Sequence, residues 1–231
     1  MADTETALIV GAGAGLSASL ARRLTKEGVK VALAARDVEK LSALCTETGA
    51  TAYQCDAIDP AAVAALFDSV TRDLGAPDIA IYNASNRARG PVTEIDPEAV
   101  LTAIKISCYG AFLMAQQAAK QMVARGSGAI FFTGASAGVK GFPNSSSFAM
   151  GKFGLRGLAQ SLARELHPQN IHVGHFVIDG GIEKENDPRA NRGEDGLLKP
   201  DSIAETYYQF WRQPRDSWAW EIELRPWVEK F

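Results

Sequence analysis

The chain reads as a single α/β domain: a doubly wound parallel sheet of about seven strands, with helices on both faces. Three observations predict this. Short apolar runs alternate with stretches of helical periodicity along the whole sequence. The apolar runs show little in/out alternation, as expected for parallel strands covered on both faces. The 231 residues, 46% of them hydrophobic, suffice for one full core, and no internal repeat or linker divides them. One domain over 1–231 is therefore expected.

The elements follow in order. Ala7–Val10 is a strand, and Leu16, Leu20 and Leu24 lay one apolar stripe along a helix ending near Glu27. Gly28 stands where a helix-terminating glycine is common. Val29–Ala34 is the second strand, Val38–Glu47 a helix and Thr51–Cys55 the third strand. Pro60 suits a first helical turn, and Val63, Leu66, Phe67, Val70 and Leu74 make that helix's apolar face. Asp78–Tyr82 is strand four, followed by a polar loop from Asn83 to Thr93. Pro97 opens a long helix reaching about Arg125, and Gly128–Thr133 is strand five. Phe148–Leu166 is a helix and Ile171–Ile178 strand six. Residues 179–200 show no periodicity and form a candidate mobile lid on the substrate side. Ile203–Trp211 is the last helix and Glu221–Leu224 the last short strand.

Ligands of such sheets bind beyond the carboxyl ends of the strands, at the point where strand order reverses. The stretch Leu8–Ser17 meets that condition best. Its strand enters a turn built of Gly11, Gly13 and Gly15 and leaves it into a helix at Leu16. Glycine permits close approach of a ligand, and a helix N-terminus favours a pyrophosphate. The G-x-G-x-x-G pattern fails at Leu16, and G-x-x-x-G-x-G fails at Ser17, so neither fingerprint is complete. After strand two, Ala35 offers no carboxylate to a ribose, whereas Arg36 offers a guanidinium to a 2′-phosphate. That favours NADP, with NAD as the alternative. Asp37 is read as a cap of the following helix and Asp56 as an acceptor for the adenine amino group.

Composition excludes other classes. The net charge of −3 is spread over both signs, which argues against nucleic acid or an anionic membrane as partner. The polar start resembles no signal peptide, and no apolar run is read as a membrane span. Cys45, Cys55 and Cys108 are odd in number and widely spaced, which suggests reduced thiols in a cytoplasmic protein. They form no metal pattern with His167, His172 and His175.

With these residues in view the chain resembles the short-chain dehydrogenases/reductases over almost its whole length. The resemblance rests on Gly11-x-x-x-Gly15, Asp56, Asn83-Ala84-Ser85, Gly110, Lys152 within Phe148-Ala-Met-Gly-Lys152, and Gly180. It implies a Rossmann-like sheet that binds NAD(P) through Gly11, Gly13, Gly15, Leu16, Arg36, Asp56, Asn83, Ala84, Ser85, Lys152, Gly180 and Ile182. It implies hydride transfer to or from a carbonyl, alcohol or alkene, and a homodimer or homotetramer built on helices 97–125 and 148–166.

The departures concern catalysis. Phe148 stands where the family has its acidic tyrosine, and Ala135 where it has its serine, with Ser136 one position on. Ser107 replaces the family asparagine, and Asp179 the proline of Pro-Gly. Phenylalanine has no proton to give, and a lost general acid costs about 10² to 10⁴ in rate. The candidate catalytic positions are therefore Lys152, Ser136, Phe148 and Ser107. Ser145, Ser146, Ser147, Asp179, Tyr109, Tyr207 and Tyr208 are candidate substitutes, and the Trp-rich end with Trp211, Trp218, Trp220 and Trp227 suits closing over a substrate or, through residues 224–227, packing at a subunit interface. Two readings stay open: an NADP(H)-dependent oxidoreductase with an atypical proton source and an unidentified small-molecule substrate, or a dinucleotide-binding protein acting as sensor or assembly partner.

Overall fold

The computed structural model describes residues 4–184, 187–189 and 193–229. Seven strands form one sheet: β1 (Thr6–Val10), β2 (Lys30–Ala35), β3 (Thr51–Gln54), β4 (Ile79–Tyr82), β5 (Gly128–Thr133), β6 (Ile171–Ile178) and β7 (Glu221–Leu224). All pairings are parallel, in the order β3-β2-β1-β4-β5-β6-β7. The chain winds outward from β1 to β3, returns to β4 beside β1, and then winds the other way. This reversal opens a crevice between the carboxyl ends of β1 and β4.

Alternate residues of each strand feed two cores. Leu8 and Val10 face the layer of α3 (Pro60–Asp73), α5 (Gly110–Arg125) and α6 (Ser146–Leu166). Ala7 and Ile9 face that of α1 (Leu16–Lys26), α2 (Ser42–Thr48) and α7 (Pro200–Trp211). Phe131, Phe176, Tyr207 and Phe210 pack together in this second core, with Phe176 and Tyr207 stacked at 3.5 Å. Losing one such ring costs about 3–5 kcal/mol.

Helix starts follow the expected chemistry. Asp59 accepts from the Ala61 amide at 2.9 Å, and Asp96 from those of Glu98 and Ala99 at 3.1 and 3.3 Å; Pro60 and Pro97 follow them. Some bounds differ from the sequence reading. The Val38–Glu47 helix begins as a 3₁₀ turn at Glu39–Leu41 before α2, and α6 starts two residues early at Ser146. The long helix is α4 (Pro97–Ile104), a π turn at Lys105–Tyr109, and α5. That turn supports the crevice side: Tyr82 donates to the Ile106 carbonyl at 2.6 Å, and its hydroxyl leaves no room for a Cβ at Gly110.

Residues 97–125 are long and apolar enough to cross a membrane by length and composition, which corrects the reading that no such run exists. In the fold, Ala111, Met114, Ala115, Ala118 and Met122 of this stretch lie buried against the sheet. These five residues are thus committed to the core. Leu155 of α6 is likewise buried, whereas Phe112 and Phe153 are well exposed.

Candidate active site in the crevice

The glycine turn is shaped by contact with the β4 loop. Gly11 has φ +85°, and a Cβ there would overlap the Ala84 backbone. The amides of Gly11 and Ala12 both donate to the Ala34 carbonyl at 3.0 Å. Ser17, buried in the first turn of α1, donates to the Gly11 carbonyl at 3.2 Å and accepts from Asn83 at 2.7 Å. Asn83 therefore braces the turn through its side chain. A Cβ at Gly13 or Gly15 would meet nothing within 4 Å, and Gly15 caps α1 with no side chain over its amides. The N–H groups at Leu16 and Ser17 have no partner within the helix and suit a phosphate.

An adenosine-sized cavity of about 550 Å³ lies beside this turn, lined by Gly11, Arg36, Asp56, Asn83, Ala84 and Ser85 among others. Asp37 caps the following turn as expected, accepting from the Glu39 amide at 3.2 Å, and pairs with Lys40 at 2.9 Å. Lys40, first, with the local amides, holds the Asp37 carboxyl below its ordinary range. Lys40 also lines the cavity, a second cation that the sequence reading missed. Arg36 and Lys40 together favour a phosphorylated ribose. One Asp56 oxygen is engaged by the Ile58 amide at 3.2 Å.

A second cavity, of about 520 Å³, continues the crevice and shares Asn83, Ser85 and Asn86 with the first. Ala135, Phe148, Lys152, Gly180 and Ile182 line it. Lys152 is 2% exposed, and its Nζ donates to the Thr133 carbonyl at 2.7 Å. Burial, aided by the Arg87 charge, pushes its pKa down to about 7. The Lys152 Nζ lies 5.8 Å from the centre of the Phe148 ring.

The sequence-predicted substitutes do not gather here. Ala135, not Ser136, faces the cavity; Ser136 hydrogen-bonds Asp179 instead. Asp179 is 2% exposed and pairs with Lys140 at 3.1 Å and Arg225 at 2.8 Å. Burial works against its charge, but Ser136, Lys140 and Arg225 outweigh it and hold the carboxyl below its ordinary range, so Asp179 is no acid at neutral pH. Ser107 is fully buried outside the cavity lining; it donates to the Asn86 carbonyl and accepts from the Asn86 amide, both at 3.2 Å. Ser147 does the same for Ala88, donating at 2.6 Å and accepting at 3.2 Å. Tyr207 is buried against Thr133, and Tyr109 stacks on Phe112 at the surface. Tyr208 lies under Arg23 at the outer face. Trp218 stacks on His172 at 4.6 Å and, with Trp211, lines a hollow at the opposite end of the sheet, where neither closes over a substrate. Among the described lining residues no phenol enters the cavity.

In the inner cavity, sequence reasoning missed Arg87. It lies in the loop after β4, and its guanidinium sits 3.9 Å over the Phe148 ring. Only an unremarkable run of polar residues marked that loop. Of the expected lid, Lys184 and Arg189 line the cavity, and Leu198 donates to the Gly181 carbonyl at 2.9 Å. Residues 185, 186 and 190–192 of that stretch lie outside the described residues.

Comparison with known proteins agrees with this architecture. Residues 5–193 match the family model for short chain dehydrogenases. A short-chain dehydrogenase from Rhodopseudomonas palustris is 32% identical and superposes with a TM-score of 0.83, covering 96% of this chain and 99% of that one. An actinorhodin polyketide ketoreductase variant solved with NADPH is 25% identical, with a TM-score of 0.88 and 97% of each chain covered. The 3-oxoacyl-acyl-carrier-protein reductase MabA of Mycobacterium tuberculosis is 28% identical over 193 residues, 82% of this chain and 76% of that protein. With its glycine turn, all-parallel sheet and buried crevice lysine, the chain belongs to the short-chain dehydrogenase family.

Proposed function

We propose that the protein is an NADP(H)-dependent oxidoreductase acting on a small carbonyl, alcohol or enoyl compound, with a proton source other than a phenol. The observation that carries this is Lys152: a buried ammonium that lines the inner cavity beside Phe148, with a pKa near 7. The glycine turn, Arg36 and Lys40 support NADP as cofactor, as do the similar structures solved with NADPH and with NADP.

When bound, NADPH supplies a hydride to the electrophilic carbon of the substrate. The chain then has to deliver one proton and stabilise charge on oxygen. With a pKa of about 7, Lys152 carries a proton in about half of the molecules at neutral pH and gives it up more readily than an ordinary ammonium. Asn83 and Ser17 hold the turn that receives the pyrophosphate. Phe148 contributes shape and a dry wall. The described residues of the stretch 179–200 border the substrate side, with Lys184 and Arg189 lining the cavity.

The test is NADPH consumption against a broad panel of carbonyl and enoyl compounds, beside a titration of NADPH binding. Turnover supports the reading. Tight NADPH binding with no turnover favours the second reading, a dinucleotide-binding sensor or assembly partner, whose support is the lack of a phenol in the described cavity lining.

A further inference from the structure

The inner cavity is lined by Arg87, Lys152, Lys184 and Arg189 and by no aspartate or glutamate among the described residues. Two of these cations are spoken for. Lys152 donates to the Thr133 carbonyl, and Arg189 pairs with Asp187 at 2.6 Å and donates to the Ile182 carbonyl at 3.0 Å. Arg87 is different. Among the described residues no carboxylate pairs with its guanidinium, which lies over the face of Phe148 at 3.9 Å. Part-burial, followed by the nearby charges of Arg89 and Arg189, loosens its hold on its proton.

Arg87 is also held in place. The residue before it, Asn86, is gripped at both its amide and its carbonyl by Ser107, and the residue after it, Ala88, at both by Ser147. Gly90 further donates to the Asn144 carbonyl at 3.2 Å. Four hydrogen bonds from two buried serines thus fix the backbone on either side of one arginine. The face of the Phe148 ring, 3.9 Å away, supports its guanidinium. A preorganised guanidinium with no acid partner among the described residues, in a cavity whose described lining carries cations and no carboxylate, is built to receive a planar anion through two parallel hydrogen bonds.

We propose that Arg87 is the substrate anchor, and that the inner cavity selects carbonyl compounds carrying a carboxylate. This rests on the oxidoreductase reading for the carbonyl but not for the carboxylate. Phe148 has a role in it beyond filling space: it is the platform that orients the guanidinium, so the position without a phenol is used for recognition. Ser107 and Ser147 are positioning residues, acting through the Asn86 and Ala88 backbone.

The experiment is calorimetric titration of the NADP-loaded protein with pyruvate, acetoacetate, levulinate and benzoylformate, each beside its methyl ester, for the wild type, Arg87→Gln and Arg87→Lys. At least one acid is expected to bind tenfold or more tighter than its ester. Arg87→Gln should remove that preference while leaving NADPH affinity within twofold, which also shows that the variant folds. Arg87→Lys should keep part of it. Acids and esters binding alike, or neither binding, overturns the proposal. So does a loss of NADPH affinity in Arg87→Gln, because Arg87 then belongs to the cofactor. Reduction of the neutral esters at the rate of the acids overturns the anchor and leaves the oxidoreductase reading intact. Carboxylate-selective binding without NADPH consumption does the reverse.

Discussion

The Arg87 guanidinium lies 3.9 Å above the centre of the Phe148 ring, and the Lys152 ammonium 5.8 Å from the same centre. One phenyl ring is thus shared by two cations of the inner cavity. The negative face of the ring attracts a cation, by about 0.5–2 kcal/mol depending on exposure, and the ring has no proton to exchange with either one.

Restoring the hydroxyls tests what that ring replaced. Phe148→Tyr adds a phenol beside Lys152, whose charge lowers the phenol pKa. Ala135→Ser adds a donor at the position that faces the cavity. The double variant should gain NADPH-dependent reduction of simple aldehydes or diketones over a weakly active wild type. The gain should vanish in Lys152→Ala while NADPH still binds. An inert double variant that binds NADPH would mean the cavity has the wrong shape for those substrates.

Cofactor choice should follow Arg36. NADPH should bind more tightly than NADH, and Arg36→Ala should erode that preference about ten- to hundredfold, the size of a charge-assisted contact of roughly 1.5–3 kcal/mol. Equal affinities in the wild type would remove Arg36 and Lys40 from the ribose site. Titration of both cofactors by fluorescence reads this directly.

Lys152 makes stability depend on pH with a definite sign. Its folded pKa of about 7 lies below the ordinary 10.5, so between those values the unfolded chain binds more protons. Stability then rises with pH across that window, and the full cost of burying the charge is present below it. Lys152→Met should gain most, relative to wild type, at about pH 6 and lose ground toward about pH 10. Urea unfolding at several pH values checks it; a constant difference would place the ammonium in a more hydrated site.

We propose that the protein is a homo-oligomer associating through α4–α5 and α6. Leu101, Tyr109, Phe112, Val123, Met150 and Phe153 on these helices are all more than two-fifths exposed, an apolar surface that a second copy of the chain covers in an isologous dimer. Phe112→Asp with Phe153→Asp should give a monomeric mass by light scattering. A wild type that is itself monomeric at micromolar concentration would contradict the assignment.

The sheet was readable in the sequence because inner parallel strands announce themselves as doubly buried runs, as at Ile171–Ile178, and the half-buried edge strand Glu221–Leu224 also falls where expected. The glycine turn was readable because positive φ and close approach leave few residue choices. Side-chain direction was not readable. Ala135 and Ser136 differ by one position, and only the turn into the 3₁₀ segment at Ser136–Gly138 decides which faces the cavity. Ser107 and Ser147 look like ordinary helix serines until the loop after β4 is folded onto them. Arg87 carries no local pattern, since its neighbours across the site are 61 and 65 positions away in sequence, at Phe148 and Lys152.

The most direct test of the proton source is the pH profile of NADPH-dependent reduction, followed through the absorbance of the reduced nicotinamide with a carbonyl substrate found active in the panel. If Lys152 delivers the proton, the rate should be flat below its pKa of about 7 and fall by up to tenfold per pH unit above it. Lys152→Met, still binding NADPH, should lose most of the activity and the inflection with it. A profile unchanged in Lys152→Met, or one with no inflection near neutrality, would contradict the account.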